Sequence, residues 1–230
     1  QVSYLVATGL FIMSLKWLSA PPTARRGVIA GEVGMALGVV GTLIQPQIQS
    51  YQWIVVGMVV GTVAGLPLAL LMPMTAVPQR TALSHSFGGL AVGLIGTCKY
   101  LLAMQAGGIA TGAIDHFRMG VISFEVLLGF LTFTGSLMAF GKLQEILPTR
   151  PIVYKGQNVL SVGLLVLAVA VGAYLTWRPM PGTELPYFGL VALALAFGVM
   201  LVIPIGGADM PTVISLLNSY AGLAASAMGF

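Results

Sequence analysis

QWIVVGMVVGTVAGLPLALLM, residues 52–72, contains no Asp, Glu, Lys or Arg. At 1.5 Å of rise per residue a helix over this stretch is about 30 Å long, which matches the hydrocarbon core of a bilayer. Seven further apolar segments surround it, at about 2–19, 28–45, 81–103, 119–141, 157–176, 185–203 and 210–230, marked off by charges, prolines and Gln/Asn clusters. The pattern predicts an all-α fold, a polytopic transmembrane helix bundle of about eight spans. The connections are short, so residues 1–230 read as a single transmembrane domain. Glycine often recurs at helix-packing spacing, as in Gly89-x-x-x-Gly93, where small residues let backbones approach in a solvent that gives helices no hydrophobic drive to associate.

Composition points the same way. Hydrophobic residues make up 57% of the chain and charged residues 7%, with a mean hydropathy of +0.98. A soluble domain carries about 25% charged residues, so this chain has too little polar surface to dissolve and no room for a soluble catalytic domain of its own. The net charge of +4 reflects few acids as much as many bases, and no basic run marks a nucleic-acid partner. The single cysteine, Cys98, excludes an internal disulfide and a cysteine metal cluster, and reads as a small buried apolar residue. His, Cys and acids nowhere fall at ligand spacing, so no metal site is expected.

Lys/Arg placement sets the direction of the spans. Lys16, Arg25, Arg26, Arg80, Lys142, Arg150 and Lys155 fall on one side, and only Lys99, Arg118 and Arg178 on the other. The first side is therefore assigned to the cytoplasm, with the N-terminus outside. No charge precedes the first apolar stretch, which predicts a retained span rather than a cleaved signal peptide. The last apolar segment runs straight to Phe230, as expected of a partly represented polypeptide.

Polar groups inside spans are costly and mark function by default. Ser215, Asn218, Gly222, Ser226 and Gly229 form one stripe of the eighth segment. Glu125, Gly129, Thr132 and Ser136 form one of the fifth, and His85, Gly89, Val92, Gly93 and Gly96 one of the fourth. Each stripe either lines a hydrated path or is packing surface. His85 lies about 7 Å along its helix from Arg80, Ser136 about 9 Å from Lys142 and Asn218 about 13 Å from Asp209, so all three fall in the inner half. Glu125, about 25 Å from Lys142, falls near the outer face. Imidazole exchanges protons near neutrality, so this set suits protons better than a bulky solute. Asp209, followed by Met210 and Pro211, is either a helix N-cap or a charge at the cytoplasmic mouth. Glu32 is expected to snorkel or to pair with Arg26. Asp115, His116 and Arg118 are expected in an outer loop.

Three stretches carry a resemblance. They are Phe133-Thr134-Gly135-Ser136-Leu137-Met138-Ala139-Phe140-Gly141-Lys142-Leu143, then Ile205-Gly206-Gly207-Ala208-Asp209-Met210-Pro211 continuing through Ile214 to Gly222, and His85-Ser86-Phe87 with Gly89-Leu90. They resemble the membrane part of the β subunit of proton-translocating NAD(P) transhydrogenase, and a weaker similarity runs along nearly the whole chain. The resemblance implies an assembly that couples hydride transfer from NADH to NADP⁺ to inward proton movement across a bacterial inner membrane. It implies α-subunit membrane helices and NAD(H)- and NADP(H)-binding domains as partners, in a homodimer of the whole assembly. NAD and NADP would bind on those other domains, with no cofactor in this chain. The family β subunit has nine spans followed by an NADP(H)-binding domain, so a ninth span and that domain are expected to lie outside residues 1–230. The family's functional positions match His85, Ser136, Asp209 and Asn218, and Glu125 matches a family carboxylate. Glu32 and Val28 depart from the family pattern, away from the suspected path.

Two other classes stay open from the residues alone. A secondary ion or solute transporter would show paired, interrupted spans in matching halves, for which Pro67 alone is too little. A non-conducting membrane anchor would need no polar stripe.

Overall fold

The computed structural model describes residues 2–46, 48 and 50–230, and every regular element among them is helical. Eight α-helices follow in order: α1 Val2–Leu18, α2 Ala24–Leu43, α3 Gln52–Leu71, α4 Val77–Gln105, α5 His116–Leu143, α6 Gln157–Trp177, α7 Glu184–Val202 and α8 Met210–Ala227. They coincide with the eight expected segments, displaced by a few residues at their ends. Six are long and apolar enough to cross a membrane, while α1 and α8, at 17 and 18 residues, fall outside that set.

Local chemistry sets the helix starts. Proline in the first turn, where no backbone donor is needed, opens both α4 and α8. Asp115 caps α5, its carboxylate accepting from the Arg118 amide at 2.7 Å. His116 and Arg118 therefore belong to the first turn of α5 rather than to the outer loop expected from sequence. The His116 ring reinforces this start, because Nδ1 lies 2.7 Å from the Thr176 carbonyl oxygen near the end of α6.

The chain divides into two compact units, residues 1–66 and 67–230. In the first, α1 and α2 form an antiparallel hairpin. Ser14 donates to the Gly27 carbonyl at 2.6 Å, and the Tyr4 hydroxyl stands 2.9 Å from Thr42 Oγ1. Gly27 is required there, since a Cβ would sit 2.9 Å from the Ser14 carbonyl oxygen. Glu32 is exposed and makes no ion pair among the described residues. The expected pairing with Arg26 does not form, because a six-residue spacing puts the two on different helix faces. No residue of α3 is buried.

In the second unit α5 is the central helix, packed on α4, α6, α7 and α8. One apolar core joins Tyr100, Met119, Phe130, Leu175, Tyr187 and Leu190. A second joins Ala82, Ala139, Val202, Met210, Ile214 and Leu217, and seats α8 against α4, α5 and the end of α7. Met210, Val213, Ile214 and Leu217, buried in the first two turns of α8, follow the i, i+3, i+4, i+7 pattern of one apolar face. Cys98, expected buried, is exposed. Its neighbours Gly96 and Tyr100 are buried against α5 and α7, and a two-residue step turns a helix by about 200° to the opposite face.

Candidate functional site

The α4–α5 contact is set by glycine. A Cβ on Gly89 would lie 2.8 Å from the Gly129 carbonyl oxygen, and one on Gly129 would lie 2.7 Å from the Gly93 amide nitrogen. The two backbones thus touch, and the glycine face of α4 is packing surface at this level rather than the wall of a hydrated path. The antiparallel register follows from Gly96 beside Glu125, Gly93 beside Phe130 and Gly89 beside Thr132, with Ala82 and Ala139 sharing one core. That register sets His85 and Ser86 of α4 level with Ser136 of α5.

Around this level the interior is polar and unsatisfied. His85 Nδ1, Ser86 Oγ, Thr132 Oγ1 and Ser136 Oγ are all buried, and none has a hydrogen-bond partner in the chain. Ser86 and Thr132 are 0% exposed and Ser136 is 1% exposed. Buried polar groups are nearly always partnered, by protein or by ordered water, and these four atoms have no partner within the chain. Asn218 of α8 completes the group, with its side chain beside the His85 imidazole. His85, Ser136 and Asn218 are thus gathered from three helices that are distant in sequence.

Glu125 and Asp209 stand apart from that group. Glu125 is fully buried and pairs through Oε2 with Lys99 Nζ at 3.3 Å, while its Oε1 has no partner. Lys99 also donates to the Met228 carbonyl at 2.9 Å. Beyond it opens a cavity of about 390 Å³, lined by Lys99, Ala103, Ile114, Arg118 and Ile122. Glu125 belongs to this Lys99 cluster, separated from Thr132 and Ser136 by the glycine contact. Asp209 ends a 3-10 turn, Gly207–Asp209, and stands at the N-cap position of α8, but its side chain is exposed and makes no capping bond. The plain helix-cap reading therefore has no hydrogen bond to support it.

The polar stripe of α8 is also redistributed. Ser215, Asn218, Gly222 and Ser226 are exposed in this chain, since α8 turns its apolar face to α4 and α5. Only Asn218 reaches an inward-facing group. Sequence reasoning missed two further elements of the interior. Lys99, used there only as a charge for orientation, holds the buried carboxylate. Tyr187, stacked on Tyr100 with ring centroids 3.7 Å apart, donates to Thr97, and the Tyr100 hydroxyl stands 2.9 Å from Thr183 Oγ1. Nothing in one sequence pairs residues so far apart. Among the described residues no three His, Cys, Asp or Glu side chains stand together to hold a metal ion.

Comparison with known proteins gives the same direction over the full chain. The model of the family described as NAD(P) transhydrogenase beta subunit matches residues 1–230. The chain is 42% identical over 233 residues to NAD(P) transhydrogenase subunit beta of Rhodospirillum rubrum, covering 100% of this chain and 49% of that protein. A protein of the same name from a designated strain of that organism matches to the same extent. The chain spans about half the length of these relatives. A polytopic helical architecture, a full-length family match and this level of identity agree, and the chain belongs to the NAD(P) transhydrogenase beta subunit family.

Proposed function

We propose that this chain is the proton-conducting membrane module of a transhydrogenase, coupling inward proton movement to hydride transfer from NADH to NADP⁺ on soluble domains outside it. The observation that carries the reading is the gathering of His85, Ser86, Thr132 and Ser136, each with a buried polar atom lacking a protein partner, beside Asn218. A chain of waters satisfies such groups, and a neutral imidazole within it accepts a proton on one nitrogen while releasing one from the other. His85 is the relay, while Ser136 and Asn218 orient the relay and its water. Neither a solute pocket nor a plain anchor accounts for four unsatisfied polar atoms, one of them on His85 itself and three on its hydroxyl neighbours.

Coupling requires the proton to bias two states that differ in affinity for NADP(H). Asp209, exposed at the start of α8, lies about 13 Å along that helix from Asn218. Under this reading it stands at the cytoplasmic mouth, against the NADP(H)-binding domain. Glu125 and Lys99 serve the outer half, where the cavity beside Lys99 gives water access. The exposed polar edge of α8 is costly against lipid and is the seat for α-subunit membrane helices. The whole sits in a bacterial inner membrane with its N-terminus outside, in a homodimeric assembly whose other domains bind NAD and NADP.

The test uses the full-length assembly reconstituted in vesicles, with His85→Leu and Asn218→Leu introduced singly and together. Loss of a proton relay typically lowers rates by about 100-fold or more, so proton pumping driven by hydride transfer should fall by that order. Normal pumping by the double variant would overturn the proposal.

A further inference from the structure

Lys142 sits in the last turn of α5 and is 0% exposed. Its Nζ donates to the carbonyl oxygens of Ile203 and Ile205, both at 2.6 Å, and lies 3.4 Å from that of Val202. No carboxylate pairs with it among the described residues. A buried cation is costly unless its donors are met and opposite charge is near. Here all three ammonium protons meet carbonyls, and two of these, of Val202 and Ile203, lie at the negative, C-terminal end of the α7 dipole. The same carbonyls belong to the bend that links α7 to α8. The segment before α6 holds this bend from its other side, with the Gly207 amide donating to the Thr149 carbonyl at 2.8 Å and the Ile152 amide to that of Ile203 at 3.3 Å. Four residues after Ile205 comes Asp209, and then α8 with Asn218.

We infer that Lys142 is a positioning residue, a latch that holds the α7–α8 bend in one setting and thereby fixes Asp209 and the register of Asn218 against His85. The geometry explains the choice of lysine. The bend brings the carbonyls of Val202, Ile203 and Ile205 to one point, ahead of the first residue of α8, which starts in a new direction. A long side chain from α5 supplies three donors at one point, which a neutral residue cannot do. Because α5 also carries Thr132 and Ser136, the latch ties the helix that bears the polar cluster to the bend that bears Asp209. Its consequence for coupling rests on the function proposed above, whereas the latch itself rests on the contacts.

The experiment is hydrogen exchange on the solubilised full-length assembly, comparing wild type with Lys142→Met. Methionine is close to lysine in length and apolar, so the buried site is not left as a void. Losing charge-assisted bonds to two carbonyls should raise amide exchange in the 205–210 segment by about tenfold or more, with α6 unchanged. Proton uptake per hydride transferred should fall in the same variant. A residue that only stabilises the fold would instead speed exchange across the unit, α6 included. Should Lys142→Met not be recovered folded, Lys142→Gln, which keeps two amide donors without charge, should show an intermediate rise confined to the bend. Exchange at the bend equal to wild type in either folded variant, or a rise shared with α6, would overturn the latch. A local rise in exchange together with normal pumping by the His85 and Asn218 variants would leave the latch standing and remove the proton-relay reading.

Discussion

At Asp209 two roles make opposite demands on one substitution. Asparagine keeps a helix start and an acceptor oxygen but cannot ionise. The side chain is exposed and makes no capping bond, so Asp209→Asn should change thermal stability by no more than about 0.5 kcal/mol. If the carboxylate senses the proton, the same variant should nonetheless shift NADP(H) affinity or proton coupling in the full assembly. Binding and pumping measured against wild type as pH is varied decide the matter, and superimposable curves would reduce Asp209 to an ordinary exposed residue. Glu125 and Lys99 form a pair whose energetics can be isolated. Lys99→Met leaves a fully buried carboxylate unpaired and should destabilise the assembly by about 3 kcal/mol, the lower end for breaking a buried pair, because Lys99 itself is 35% exposed. Adding Glu125→Gln should restore most of that loss. Thermal unfolding of the two single variants and the double variant would show the coupling, and strictly additive effects would mean that the pair contributes nothing.

Helix α4 and helix α5 meet through Gly89, Gly93 and Gly129, and nothing larger fits there. Gly129→Ala would place a methyl group 2.7 Å from the Gly93 amide nitrogen and 3.0 Å from the Gly89 carbonyl oxygen, both rigid backbone atoms. Overpacking of this kind costs about 1–3 kcal/mol and should separate the two helices. A Cβ on Gly163 of α6 meets nothing within 4 Å, so Gly163→Ala should be tolerated. The unfolding midpoint of the solubilised assembly should fall for the first variant and hold for the second; equal midpoints would mean that the helices slide apart without strain. The close contact also organises the interior. It divides the polar groups into one set, Lys99 with Glu125, and a second around His85, with packed backbone between them.

On the scale of the molecule, orientation is the property most open to direct measurement. The connection between α5 and α6 carries Arg150 and Lys155, whereas that between α6 and α7 carries only Arg178. The excess of bases predicts the cytoplasmic side for the former. Single cysteines at Thr149 and at Met180 should therefore react with membrane-impermeant maleimide from opposite faces of intact membranes, the first from the cytoplasmic side. Cys98 is exposed and should be replaced by Ser beforehand. Labelling of both positions from one face would mean that α6 does not cross.

The class of the protein and its eight helices were legible in the sequence because hydropathy over some twenty residues is a local property, which lipid enforces wherever the chain crosses it. Proline and aspartate placement gave the start of α8, at Asp209-Met210-Pro211, whereas the Asp115 cap of α5 reads as loop from sequence alone. His85, Ser136 and Asn218 could be chosen as candidates because polar side chains are conspicuous inside apolar runs. What they do together depends on packing. A helical stripe shows which residues share a face, but not which face turns inward, and α8 turned its apolar face to α4 and α5 and left its polar stripe outside. The glycine stripe of α4 looked like a candidate channel wall and is a backbone contact, because the outcome depends on a second helix far along the chain. Lys142 and Lys99 read as charges for counting topology. Only the tertiary structure placed one on the carbonyls of the α7–α8 bend and the other on Glu125, since both partners are set by helix crossings that local sequence does not encode.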